Sequence, residues 1–161
     1  MPTLDDDARC PCGTGETYGA CCARHHRGAP APTAEALMRS RFTAFALGLA
    51  DYLLATWYPS TRPASLELDP QIRWQRLEIL QTSGGPFDDA ARVRFAAHWR
   101  SVPGIPGEHR RRGVQEEDSR FLREDGRWYY LDEAPPDADR SGPGRTELGR
   151  ISPGRIAARS S

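Results

Sequence analysis

All four cysteines of the 161-residue chain fall between Cys10 and Cys22, in the order C-x-C, eight residues, C-C. Gly13, Thr14 and Gly15 follow the first pair, where the backbone must turn tightly if the second pair is to return to it. Four thiolates gathered in this way make a tetrahedral site for a soft divalent ion, most simply zinc, with iron admitted by the same ligand rules. Such a site would carry a net charge near −2, by roughly one charge per thiolate, and would leave no coordination position open, so it reads as structural. A segment this small cannot bury a hydrophobic core, and the metal would supply most of its folding free energy.

Other readings of the cluster fit less well. Disulfides need an oxidising compartment, yet residues 1–9 carry Asp5-Asp6-Asp7 and no apolar run, so they do not form a signal peptide and a cytoplasmic location is expected. A redox dithiol would call for C-x-x-C after a strand, and neither is present. Chance clustering is disfavoured because cysteine occurs nowhere else in the chain. His25 and His26 can each replace a cysteine as ligand, but they are expected to flank the centre or to be solvated.

The remaining composition bounds the rest. Only 38% of residues are hydrophobic while Gly and Pro number 15 and 14, which predicts a compact core flanked by segments that pack little. Lys plus Arg number 22 and Asp plus Glu 22, so no overall field draws the protein onto anionic surfaces, and no direct DNA binding is expected. No run approaches the ~18 apolar residues of a membrane span.

Along the chain, residues 1–9 read as a disordered lead, 10–26 as the metal module and 27–32, with Pro30 and Pro32, as a linker. Thr33 is suited to cap a helix whose apolar positions Met38, Phe42, Phe45 and Leu49 recur at steps of four, three and four. Gly48 suits its end, and Asp51 can cap a second short helix running through Trp57 and stopped by Pro59. The period then changes. Val93, Phe95, Ala97 and Trp99 alternate with polar residues as a half-buried strand does. Ile72–Gln81 is a weaker strand, and another is expected over about Gly113–Arg123. Asp125-Gly126 between Phe121-Leu122 and Trp128-Tyr129-Tyr130-Leu131 predicts a hairpin. Helices followed by an antiparallel sheet make an α+β domain over 33–133, with the sheet curled around the first helix. Residues 134–161, rich in Pro, Gly, Ser and Arg, read as a disordered tail.

Within that domain, Asp51, Tyr52, Tyr58, His98 and Asp118 are the candidate acid–base groups. Arg39, Arg41, Arg94, Arg100 and Arg120 are candidates for an anion-binding groove, although ordinary ion pairs with Glu117 or Asp118 are favoured. Arg110-Arg111-Arg112 is followed by Glu116-Glu117-Asp118 and lacks interleaved aromatics, so it reads as a solvated turn rather than an RNA-binding site. Trp57, Trp74, Trp99 and Trp128 are read as core.

Cys10-Pro11-Cys12-Gly13-Thr14-Gly15 with Tyr18 and Cys21-Cys22 resembles the SEC-C motif, which is best known at the C-terminus of the SecA translocase. Leu37 to Phe45, Asp51-Tyr52-Leu53, Thr56 to Pro59, Ser119 to Leu122 and Trp128 to Asp132 resemble the bacterial YchJ family in order and spacing. The resemblance covers residues 10 to about 133. It implies a zinc ion held by Cys10, Cys12, Cys21 and Cys22, followed by a nuclear transport factor 2-like cone; such cones often enclose a pocket, for which Arg41, Trp57, His98 and Arg120 are the candidates in this chain. Some family members end in a second SEC-C motif, which this cysteine-free tail lacks. The expected function is that of an adaptor whose metal module contacts a protein or ribosomal partner. The rival reading is a small enzyme or ligand-binding protein using the cone, with a purely structural metal site.

Overall fold

A computed structural model describes residues 3–85 and 87–135. Helix α1 spans Cys22–His26, α2 Ala34–Leu47 and α3 Ala50–Ala55; strands β1 Ile72–Ser83, β2 Ala90–Ser101, β3 Arg112–Glu124 and β4 Arg127–Glu133 follow. No helix among the described residues is long and apolar enough to cross a membrane.

Helix α2 starts and stops where its end residues dictate. The Thr33 hydroxyl accepts from the Ala36 amide at 3.0 Å, satisfying one of the first-turn donors. Gly48 takes a left-handed φ of 75°, and the Leu49 amide folds back onto the Ala44 carbonyl. The second helix departs from expectation at both ends. Leu49 occupies its cap position, and Asp51 lies within the first turn, where its charge faces the positive end of the dipole. The helix stops at Ala55 because the following residues pair with β4: Tyr58 donates to the Tyr130 carbonyl at 2.7 Å and Tyr130 to the Thr56 carbonyl at 2.8 Å.

The strands form one antiparallel sheet in the order β1-β2-β3-β4. Asp125 and Gly126 both have positive φ, 52° and 78°, as the tight β3–β4 turn requires. On β2, Val93, Phe95 and Ala97 are buried inward while Arg92, Arg94, His98 and Arg100 face outward. Strand β1 slips register between Trp74 and Arg76 and again between Ile79 and Gln81. These bulges keep Ile72, Trp74, Leu77 and Ile79 on the core side while breaking the two-residue period, which is why β1 is faint in the sequence. The curved sheet wraps α2, and Phe42 and Phe45 meet Trp74 with ring centroids 6.2 and 6.3 Å apart.

Two expected loose segments are ordered where the structure describes them. Residues 3–9 are not a disordered lead. The Tyr18 amide donates to the Ala8 carbonyl at 2.7 Å and the Gly19 amide to the Asp6 carbonyl at 2.9 Å. Asp6 also takes a two-pronged contact from Arg27, at 2.7 and 3.1 Å. The metal-module turn leaves backbone donors that the lead satisfies. Gly19 is needed there, since a Cβ would come 2.8 Å from that of Asp6. Ala134, assigned to the tail, is buried and its amide donates to the Asp118 carbonyl at 2.7 Å. Residues 136–161 of that expected tail lie outside the described residues.

Helix α2 is buried on more than the face predicted from Met38, Phe42 and Phe45. Ser40, Arg41 and Thr43 have no exposed surface at all. The sheet covers one side of α2; α1 and the cysteine turn cover another.

Candidate metal centre

The cysteine turn closes as its glycines allow, with Gly13 at φ 87° and Gly15 at 89°, a region other residues enter only under strain. The Cys10 amide donates to the Glu16 carbonyl at 2.9 Å, pinning the loop at its neck. One ligand atom from each of Cys10, Cys12, Cys21 and Cys22 then lies within 4.8 Å of the others. The Cys12–Cys21 and Cys21–Cys22 sulfurs stand 3.5 and 3.9 Å apart. A tetrahedron with metal–sulfur bonds of about 2.3 Å has edges of about 3.8 Å, between those two values. No disulfide joins them. The four sulfurs can hold a metal ion.

The donor set itself asks for a cation. With only one another for company, the thiols titrate apart. Thiol donation to Cys10 lowers that group strongly, and the same contacts push Cys12 up to about 11 and Cys22 higher still, with burial adding to both. Four thiolates coexist only when a central positive charge outweighs their repulsion and desolvation.

Around the sulfurs stands a shell of hydrogen bonds from α2. Thr43 donates its hydroxyl to Cys22 Sγ at 3.4 Å and stands 3.7 Å from Cys10 Sγ. Thr14, on the outer rim, lies 3.3 Å from Cys21 Sγ. Arg39 donates to the Cys12 carbonyl at 2.7 Å while pairing with Glu35 at 3.1 Å. His26 is not a ligand. Its Nε2 donates to the Ser40 carbonyl at 2.8 Å, so Nδ1 accepts from the Tyr18 hydroxyl at 2.7 Å. Burial lowers its pKa, which favours this neutral tautomer. Tyr52 packs edge-on against the His26 ring at 4.6 Å and its hydroxyl meets Ser40 Oγ at 2.7 Å. The chain Tyr18–His26–Ser40–Tyr52 thus fastens the module to α2 and α3. His25 is half-buried and contacts the Ala29 carbonyl at 3.0 Å, away from the sulfurs. Nothing in the spacing of Tyr18 and His26 announced this strut, though the half-apolar character of both residues suits it.

The expected cone pocket does not assemble as a set. Arg41 and Trp57 do meet: the guanidinium lies 5.4 Å from the Trp57 ring and 4.7 Å from that of Tyr130. Its Nη1 donates to the Leu53 carbonyl at 2.8 Å and to Thr56 Oγ1 at 2.7 Å. His98 and Arg120 lie on the opposite, outer face of the sheet, because their even-numbered positions alternate away from the core. There His98 meets Arg76 at 3.2 Å, and Arg120 grips Asp132 at 2.5 and 2.6 Å. Arg94 pairs with Glu116 at 3.6 Å and Arg92 with Asp118, so the outer acids serve ion pairs rather than acid–base work. Tyr58 packs on Tyr129 at 6.2 Å, also away from Arg41's enclosure.

Glu117, expected as a sheet carboxylate for an ordinary ion pair with an arginine, lies inside the cone near Arg41. It is 3% exposed and accepts from Ser119 at 2.7 Å and Tyr130 at 3.1 Å. Burial pushes its carboxyl up to about 7 and brings Arg41 down to about 10. Arg41 Nε and Nη2, Glu117 Oε2 and the indole nitrogens of Trp57 and Trp128 are buried without a hydrogen-bond partner among the described residues.

Residues 33–133 match the family model described as the YchJ middle NTF2-like domain, and residues 8–24 match the SEC-C motif. The chain belongs to the YchJ family. A UPF0225 protein of Corynebacterium efficiens is 60% identical over 132 residues, which is 81% of this chain and 95% of that one. Its counterpart in Streptomyces coelicolor is 52% identical, over 76% and 92% of the two chains. Among solved structures, a SEC-C motif protein from Rhodopseudomonas palustris is 31% identical with a TM-score of 0.66, covering 80% of this chain and 99% of its own. A second, from Psychrobacter arcticus, is 26% identical with a TM-score of 0.64, covering 81% and 84%. The YchJ family assignment thus joins a motif of metal-binding type to the NTF2-like cone, the same two parts that the structure packs together.

Proposed function

We propose that this YchJ family protein is a cytoplasmic adaptor. It holds one zinc ion on Cys10, Cys12, Cys21 and Cys22 and presents the metal module to a protein or ribosomal partner. The observation that supports this reading is the asymmetry of the module. Cys10, Cys12 and Cys22 are buried towards α2, whereas Gly13, Thr14, Gly15, Glu16 and Thr17 form an exposed rim around the half-buried Cys21. The cone consumes the back of the module, and the metal would hold the front in one shape, ready for contact at little ordering cost. Zinc fits four thiolates at tetrahedral spacing with no open position, and iron is the rival ion.

Affinity purification of the tagged full chain, with and without a chelator, tests the reading. Zinc near one equivalent and a partner lost on chelation and in Cys10→Ser/Cys12→Ser are the expected results. Metal-free protein, or a partner that survives both treatments, would sink it. A second reading, ligand binding inside the cone, draws on the orphaned donors of Arg41 and the free oxygen of Glu117. It predicts a small molecule that copurifies with the Cys variant but not with Arg41→Met.

A further inference from the structure

The outer face of the sheet has two halves that handle charge in opposite ways. Towards the β3–β4 turn, the outer-face arginines of β2 and β3 meet acids: Arg92 with Asp118, Arg94 with Glu116 and Arg120 with Asp132. At the other end, the register sets Arg73 directly opposite Arg100, and Arg100 directly opposite Arg112. All three are exposed and all three lie on the outer face. Like charges facing across a ladder repel. No carboxylate comes within ion-pair distance of any of them among the described residues.

Acids stand nearby but are engaged elsewhere. Glu108 accepts from the Gly104 amide at 2.8 Å, and Asp69 accepts from the Gln71 amide at 2.9 Å. Glu78 is taken by Arg76 at 2.7 Å and by His98 at 3.7 Å. Arg110 and Arg111, both exposed, extend the row along the loop that enters β3. In a chain whose formal charges sum to zero, this end of the sheet is positive by arrangement rather than by composition.

We infer that this arginine row binds the phosphate backbone of duplex RNA. Guanidinium groups match phosphate oxygens two at a time, and strands about 4.8 Å apart carry the three forks across roughly 10 Å. Trp74 and Trp99 turn into the core, Tyr129 sits at the far end, and the His98 ring is held by Arg76 and Glu78, so the face offers no open aromatic platform for an unpaired base. Val114 and, in the loop that enters β3, Ile105 are the large apolar side chains exposed near the row, too little for the apolar centre that a protein partner would want. No helix protrudes here to enter a deep groove. A smooth sheet face suits the wide, shallow minor groove of A-form RNA, which is recognised by shape and backbone. This inference is independent of the metal-module reading, and the arginines involved touch no cysteine.

The test is fluorescence anisotropy with metal-loaded full-length protein and a labelled RNA duplex of about 16 base pairs of arbitrary sequence. Binding should weaken steeply as salt rises from roughly 50 to 200 mM. The triple variant Arg73→Gln/Arg100→Gln/Arg112→Gln should bind at least tenfold more weakly and show a shallower salt dependence, and Arg100→Gln alone an intermediate loss. Arg94→Gln, at the paired end, should bind as the parent does. Removal of the repulsion should leave the melting temperature of the triple variant equal to or above the parent's, so lost binding would not reflect lost folding. Unchanged binding in the triple variant overturns the inference. So does equal affinity for a B-form DNA duplex of the same sequence, or equal competition by polyglutamate.

Discussion

Helix α2 has polar neighbours on two sides, and the two sides treat them differently. Towards the cysteine turn, Thr43, Arg39 and the carbonyl of Ser40 each have a partner within hydrogen-bond reach, and so do both nitrogens of His26. Towards the sheet, Arg41 and Glu117 are enclosed with three of their polar atoms unmatched. The first arrangement joins two units that could not otherwise stay together. The second sets a buried cation against aromatic faces, which burial disfavours, and holds a carboxyl that burial pushes towards its neutral form. The module's polar groups are glue, whereas those of the cone are a standing cost whose retention needs a reason other than stability.

Removal of the metal should break this comparison most severely. The apparent binding energy of structural zinc is of the order of 10 kcal/mol, and here much of it is the folding energy of residues 3–26. Chelation, or Cys22→Ser, should abolish protection of the Tyr18 and Gly19 amides in hydrogen exchange while the β2 and β3 amides stay protected. Equal loss in the sheet would mean that the cone has no stability of its own.

Next in size is the cone's own charge. Arg41→Ala should cost about 3–5 kcal/mol in urea unfolding, since it strands the Glu117 carboxyl and the Leu53 carbonyl without the cation they face and leaves a cavity beside Trp57 and Tyr130. Glu117 carries a pH signature. Its carboxyl rises from the ordinary 4.5 to about 7 on folding, mainly through burial, among Ser119, Glu133, Tyr130 and Arg41. The folded state therefore binds the proton more tightly. The associated stability is complete below about pH 4.5 and is lost as pH climbs through 7, by about 3 kcal/mol in the limit. Glu117→Gln should flatten that slope, and a parent curve with no fall between pH 5 and 7 would contradict the assignment.

Smaller effects test the seam. His26→Ala should destabilise by about 1–2 kcal/mol, because Tyr18 loses its acceptor, and should lower metal retention in competition with a chelator. Smallest of all is Arg120→Ala. Its exposed pair with Asp132 is worth less than about 1 kcal/mol, which thermal melting at high salt should reduce further.

The local parts of this fold were written plainly in the chain. Thr33 and Gly48 bounded α2, Asp125-Gly126 set the β3–β4 hairpin, and the alternation from Val93 to Trp99 gave β2 its inner face. Each depends on neighbours a few residues away. The four sulfurs were equally legible, since no other cysteine competes for the role. What could not be read was non-local. Ser40 and Thr43 look like breaks in an apolar helix until a second unit is laid on them. Arg41 and Trp57 were expected near each other in the cone, but their enclosure with Tyr130 and the buried Glu117 could not be read from spacing. Two bulges hid β1 by spoiling its period. His98 and Arg120 were candidates for the pocket, whereas strand alternation puts both outside, the face that the neighbouring arginines already favoured for His98.

The seam along α2 also constrains how such a protein can be built by gene fusion. A cysteine module borrowed from elsewhere would arrive without a threonine waiting at position 43 and without a carbonyl offered to its histidine. It would hang from residues 27–32 as a pendant, its orientation set by chance. The two parts read in sequence as beads on a string, but they behave as lock and housing, and an exchange of one obliges the other to be recut.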